Sequence, residues 1–130
     1  MGDTKTKSGI VDRVAKLSPV VVFSKSACSY CEEAVDLLRE LDARFMTVEL
    51  DKVKNGKAMH EMLKKETSWQ TLPAIYIGGE FIGGCEDGPS DGKGLMTLYA
   101  KGQLIPLLKE AGAFINQNMH SPGRKEEPVG

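Results

Sequence analysis

Apolar and polar residues follow each other along this chain with changing periods, and the changes mark out its elements. Ile10, Val11, Val14 and Leu17 recur at helical spacing, which predicts a short first helix over 9–17 that Pro19 cannot continue. Val20-Val21-Val22-Phe23 is a continuous, β-branched run, the pattern of a strand buried on both faces. From 29 to 41, Cys31, Ala34/Val35, Leu38 and Leu41 fall on one stripe, with Glu32, Glu33, Asp36, Arg39 and Glu40 elsewhere. That spacing predicts an amphipathic helix. Residues 45–50 read as a second strand, and a helix over 57–66 places Met59, Met62 and Leu63 inward. Ala74-Ile75-Tyr76-Ile77 and Glu80-Phe81-Ile82 flank Gly78-Gly79, and two glycines supply the positive φ a hairpin turn needs. Residues 95–100 and 103–111 form two last helical pieces, broken at Gly102.

The predicted order α-β-α-β-α-β-β-α is a parallel βαβ unit followed by a hairpin. An α/β fold with one four-stranded mixed sheet and helices on both faces accommodates it.

Composition narrows the setting. The 130 residues suit one domain, placed at 8–113, with 1–7 as a flexible N-terminus. The polar stretch 114–130 has too little apolar surface to fold and is expected to be disordered. At 41% hydrophobic the chain can fill one core, and with a formal charge of −1 it lacks the basic surplus of a nucleic-acid binder. No apolar run approaches the ~20 residues of a membrane span. Met1 to Lys7 is too short and polar for a secretory signal, and too Arg-poor for a transit peptide. Met-Gly-Asp-Thr-Lys-Thr meets the loose pattern for myristoylation at Gly2, although a charged residue directly after the glycine fits it poorly. Three cysteines, two of them three positions apart, do not resemble the framework of a secreted domain, so a reducing compartment, most simply the cytosol, is expected.

The candidate chemistry lies at Cys28-Ser29-Tyr30-Cys31, between a predicted strand and a predicted helix. A thiolate, not a thiol, is the nucleophile of disulfide exchange. The positive end of the helix and Lys25 both favour the Cys28 thiolate, moving its pKa from ~8.5 toward about 3.5–7.5, with Glu32 and Glu33 partly opposing. Cys31 is one helical turn on, close enough for a disulfide and on the buried stripe. Cys28 is therefore expected to attack and Cys31 to resolve. A structural zinc site would need a second ligand pair, and Cys85, His60 and His120 offer none with paired spacing.

Residues 23–31, then Thr71-Leu72-Pro73, then Gly83-Gly84-Cys85-Glu86-Asp87, resemble the three sequence blocks of the glutaredoxins in order and spacing. Thioredoxins fit less well, since they carry a tryptophan before the first cysteine and lack the Gly-Gly-Cys block. The resemblance covers roughly residues 8 to 113. It implies a thioredoxin-like fold, glutathione as co-substrate, and reduction of protein–glutathione mixed disulfides and protein disulfides by a monomer. A separate NADPH-dependent reductase would recycle the oxidised glutathione. Carried over, Lys25 and Tyr30 would flank the bound tripeptide, and the backbone at Leu72, before a cis Pro73, would pair with its cysteinyl part. The backbone N–H groups of Cys85 and Glu86 and the side chain of Asp87 would hold the γ-glutamyl end. Cys85 itself reads as a packing residue.

Three features depart from the family pattern. The position that often holds a Gln for the glycine carboxylate falls on His60, counting eleven back from Thr71, with Gln70 or Lys64 as substitutes. Seven residues at 88–94, three of them Gly and one Pro, form a loop where a helix normally starts, which loosens the role of Asp87 as a cap. Trp69 and the 79–85 string are similar to single-cysteine glutaredoxins that handle iron–sulfur clusters. Those lack the second cysteine and usually have extra residues between the lysine and the active cysteine, so the resemblance places this chain in the dithiol class. The alternative function is a [2Fe–2S] carrier, two chains bridging a cluster through Cys28 and two glutathiones. Serine after the first cysteine, where proline would rigidify the turn, suits that alternative.

Overall fold

A computed structural model of the chain describes residues 9–87 and 93–114. The expectations for Gly2, the N-terminus, His120, the tail and 88–92 lie outside them. Helices α1 (Gly9–Ala15), α2 (Ser29–Glu40), α3 (Gly56–Thr67), α4 (Leu95–Ala100) and α5 (Leu104–Ala111) surround strands β1 (Val20–Ser24), β2 (Met46–Glu49), β3 (Ala74–Ile77) and β4 (Glu80–Gly83). The sheet order is β2-β1-β3-β4. β1 runs parallel to β2, with Val21 opposite Met46, and antiparallel to β3, with Val20 opposite Ile77. β3 and β4 form the expected hairpin, and Gly78 (φ 62°) and Gly79 (φ 83°) make its turn. The α/β architecture predicted from patterning is the one observed.

Strand β1 is central, and alternation sends its side chains to two separate cores. Val20 and Val22 join Ile75 and Ile77 under α2, α4 and α5, packing on Leu38, Leu95, Leu104 and Leu108. Val21 and Phe23 join Ala74 and Tyr76 on the other face, under Val11 and Ala15 of α1 and Met59 and Leu63 of α3. Residues 20–23 of β1 are therefore required to be apolar, because neither face of the strand meets water.

Some side chains depart from the expected pattern. Leu17 is 68% exposed rather than on the buried stripe of α1. The helix ends at Ala15, and Lys16 and Leu17 donate to Arg13 and Val14 three residues back, a tighter turn that rotates Leu17 outward. Ala15 takes the inward position instead. On α2 the buried face includes Leu37 as well as Cys31, Ala34 and Leu38, while Val35 and Leu41 are half-buried. Met62 is likewise half-buried, where Met59 and Leu63 are buried. Ala113 and Phe114 are buried with the α5 side of the core, so packing reaches one residue past the boundary drawn from composition.

Candidate active site

The β1–α2 connection sets the reactive pair in place. Asp51, just past β2, accepts the Ser26 N–H on both carboxylate oxygens at 3.1 and 3.3 Å, and Leu50 N–H donates to Ser24 O at 2.8 Å. Hydrogen bonding from Ser26 holds the Asp51 carboxyl below its ordinary range. Ala27 then turns the chain with a positive φ of 52°, and Cys28 follows as the N-cap of α2. Its sulfur accepts the Cys31 N–H at 3.3 Å, so the dipole end of the helix faces it as expected. Cys28 and Cys31 are joined as a disulfide with their Cα atoms 5.2 Å apart. Cys28 is 9% exposed and Cys31 4%, in the order predicted from the stripe.

The Leu72–Pro73 bond is cis, and the Leu72 carbonyl oxygen lies 3.9 Å from the Cys28 sulfur. A groove of about 570 Å³ opens from this point. Its walls bring together Cys28 and all ten further residues singled out from sequence: Lys25, Tyr30, His60, Gln70, Thr71, Leu72, Pro73, Cys85, Glu86 and Asp87. Cys31 is not among them; it lines a second, smaller groove of about 380 Å³ on the opposite flank, between α2 and β2. Lys64 does not line the main groove.

Each side chain has a distinct local state. Tyr30 is 55% exposed at the rim. Burial lowers the His60 pKa below its usual value of 6.5, with Lys64 and Lys25 acting in the same direction and Glu61 against. Its Nε2 is buried with no partner among the described residues, as is Nε1 of Trp69. Buried polar nitrogens of this kind are where a ligand or a water belongs. Cys85 is buried with its sulfur 3.7 Å from Glu33 Oε1, and burial, Glu33 and Glu86 push its thiol up to about 12. It is a protonated packing thiol and not a second nucleophile. Among the described residues no group of three or more His, Cys, Asp or Glu side chains could hold a metal ion.

Sequence reasoning did not place Ser29, Trp69 or Gly84 in the groove wall. Trp69 lies edge-on to Phe81, which in turn contacts Tyr76, so it caps an aromatic row that ends at Phe23 in the core. Gly84 had a readable signal in the Gly-Gly pair. A Cβ there would lie 3.1 Å from both Pro73 O and Trp69 Cζ2, so any larger residue would press the two walls apart by a few tenths of an ångström.

The comparisons with known proteins agree with this geometry. Residues 20–82 match the family model described as Glutaredoxin. The chain is 43% identical over 95 residues to Glutaredoxin-C2 of Arabidopsis thaliana, an alignment covering 73% of this chain and 79% of that protein. The holo form of glutaredoxin C1 from Populus tremula x tremuloides superposes with a TM-score of 0.74 at 32% identity, covering 87% of this chain and 96% of the other. A buckwheat glutaredoxin–glutathione complex superposes at 0.68 with 33% identity, covering 85% and 97%.

Proposed function

Because the chain belongs to the glutaredoxin family, we propose that it is a glutathione-dependent thiol–disulfide oxidoreductase working through Cys28 and Cys31. The observation that carries this reading is the Cys28 sulfur itself. It sits at the N-terminus of α2, is bonded to Cys31, and opens onto a groove of a size and polarity that suit a charged tripeptide. The buckwheat relative solved with glutathione supports the choice of that tripeptide.

In the first half-reaction the Cys28 thiolate attacks the sulfur of a protein–glutathione mixed disulfide on the glutathione side. A Cys28–glutathione disulfide forms and the protein thiolate leaves, taking a proton from solvent. A second glutathione thiolate attacks that bond, releasing oxidised glutathione and regenerating the Cys28 thiolate. With a protein disulfide, Cys28 forms a mixed disulfide with the substrate, and Cys31 attacks it to give the Cys28–Cys31 disulfide present in this structure. Two glutathiones then reduce that bond.

Glutathione carries two carboxylates and one ammonium, and the groove offers matching groups. Lys25, His60 and Gln70 take the glycine end, with Tyr30 as a face at the rim. Thr71, Leu72 and Pro73 lie alongside the cysteinyl part. The backbone donors at Cys85 and Glu86, with the Asp87 carboxylate, take the γ-glutamyl carboxylate and ammonium. Glutathionylated and disulfide-containing proteins are the substrates of this reading, and a thiol-reducing compartment such as the cytosol is its setting; cell fractionation checks the latter.

Two substitutions test the cycle. Cys28→Ser should abolish deglutathionylation and protein-disulfide reduction alike, because a serine hydroxyl is not ionised at neutral pH and forms no mixed disulfide. Cys31→Ser should keep deglutathionylation and lose most protein-disulfide reduction. Substantial deglutathionylation by Cys28→Ser would remove Cys28 from the role of nucleophile. An absorbance spectrum of protein purified anaerobically with glutathione, taken alongside, separates this activity from iron–sulfur carriage.

A further inference from the structure

The turn after β4 is held from behind by the segment that opens α4. Gly94 N–H donates to Ile82 O at 2.9 Å, Leu95 N–H to Gly84 O at 3.0 Å and Met96 N–H to Cys85 O at 2.7 Å. The Thr97 hydroxyl completes the set, donating to Glu86 O at 2.8 Å. In a trans peptide the carbonyl of one residue and the N–H of the next point in opposite directions. Fixing the carbonyls of Gly84, Cys85 and Glu86 toward α4 therefore turns the N–H groups of Cys85, Glu86 and Asp87 away from it. Those three residues line the groove that begins at Cys28.

Gly94 is what lets the two segments lie this close. Its φ is +103°, and a Cβ there would sit 2.7 Å from Glu86 O and 2.9 Å from the Asp87 carbonyl carbon. The seven-residue stretch that separates this chain from the usual glutaredoxin pattern thus ends in a residue that braces the turn from behind.

We propose that Gly94 and Thr97 are positioning residues that present the backbone donors of 85–87 to the γ-glutamyl carboxylate, and so set the preference for glutathione over shorter thiols. The inference rests on the assignment of Cys85, Glu86 and Asp87 to the γ-glutamyl end made under the proposed function, and adds to it the Asp87 N–H, whose peptide Thr97 fixes through Glu86 O. Thr97 acts through a single side-chain hydrogen bond, so it can be removed without disturbing the backbone bonds beside it.

The test compares one peptide in two mixed disulfides, with glutathione and with cysteinylglycine, which lacks the γ-glutamyl group. The intact protein should show the lower KM for the glutathionylated form. Thr97→Val and Thr97→Ala should each raise that KM about three- to tenfold, the range one lost hydrogen bond gives, with kcat held and the KM for the cysteinylglycine form little changed. Thr97→Ser should restore it. Either variant, folded by circular dichroism and keeping the original preference, overturns the inference, as does an equal rise in both KM values. Absence of any preference in the unaltered protein would overturn the γ-glutamyl assignment itself, and the inference with it.

Discussion

His60 is the residue where local environment and expected role interact most. It is half-buried, and burial, Lys64 and Lys25 lower its pKa, so it is mainly neutral at pH 7. A neutral imidazole can hydrogen-bond a glycine carboxylate but adds no charge. As pH falls through the range below His60's ordinary value, the imidazole gains a proton while the carboxylates of glutathione stay ionised. Binding of S-methylglutathione should therefore tighten by up to about fivefold, the limit of a partly exposed ion pair. His60→Gln should remove that slope. Fluorescence of Trp69, the only tryptophan and a wall of the groove, reads the titration without involving any thiol. The linked stability effect has the opposite sense. Because the unfolded chain binds the proton first, stability declines as pH falls through the range below His60's ordinary value. The residue's identity was readable from its spacing to Thr71, but its protonation depends on α3 packing against the groove.

At the scale of elements, the β1–α2 connection and the β4–α4 turn are two separate braces with separable consequences. Asp51 holds the first through Ser26, upstream of the nucleophile and away from the main groove. Asp51→Ala should lower kcat/KM by about tenfold, as expected for a lost charge-assisted hydrogen bond. The loss should be equal for glutathione and cysteinylglycine mixed disulfides, unlike the selective change expected at Thr97. Asp51→Asn, which keeps an acceptor oxygen, should recover most of it. An Asp51→Ala enzyme with unaltered kinetics would show that the loop holds itself. Neither brace was legible in the chain. Asp51 is one of many charged residues after a strand, and Gly94 lies in a glycine-rich stretch whose composition alone suggests a spacer. Element type was legible, because apolar periodicity reports which faces must be covered. Element ends were less so: the turn that carries Leu17 outward depends on three-residue hydrogen bonds that no apolar pattern encodes.

The described residues form one sheet with a core on each side, joined through β1. Leu38 anchors one core and Leu63 the other, both essentially inaccessible. Leu38→Ala and Leu63→Ala should each cost about 2–5 kcal/mol, since each removes buried methyl groups and leaves a cavity. Because Val20 to Phe23 alternate between the two cores, neither can loosen without shifting the strand that serves the other. Urea unfolding followed by far-ultraviolet circular dichroism and by Trp69 fluorescence should therefore coincide in both variants. Fluorescence midpoints well below the dichroism midpoints in Leu63→Ala alone would mean that the α3 side opens independently. The same two-sided build places the site, since α2 with Cys28 and Cys31 packs on one face of the sheet and α3 with His60 on the other. The groove lies where the ends of both layers meet the turns at Leu72 and Gly84.

The sequence alone determined the α/β order, the central apolar strand, the reactive pair at a helix N-terminus and the family these imply. Each follows from local rules: periodicity, turn-forming glycines, and two cysteines one helical turn apart. Tertiary structure decided what depends on residues distant in the chain. It brought Lys25, His60, Leu72 and Glu86 to one groove, left Cys85 a protonated thiol against Glu33, and made Gly94 part of a brace. Those outcomes turn on contacts of a few ångströms between separate elements, and spacing along a single chain carries no measure of such distances.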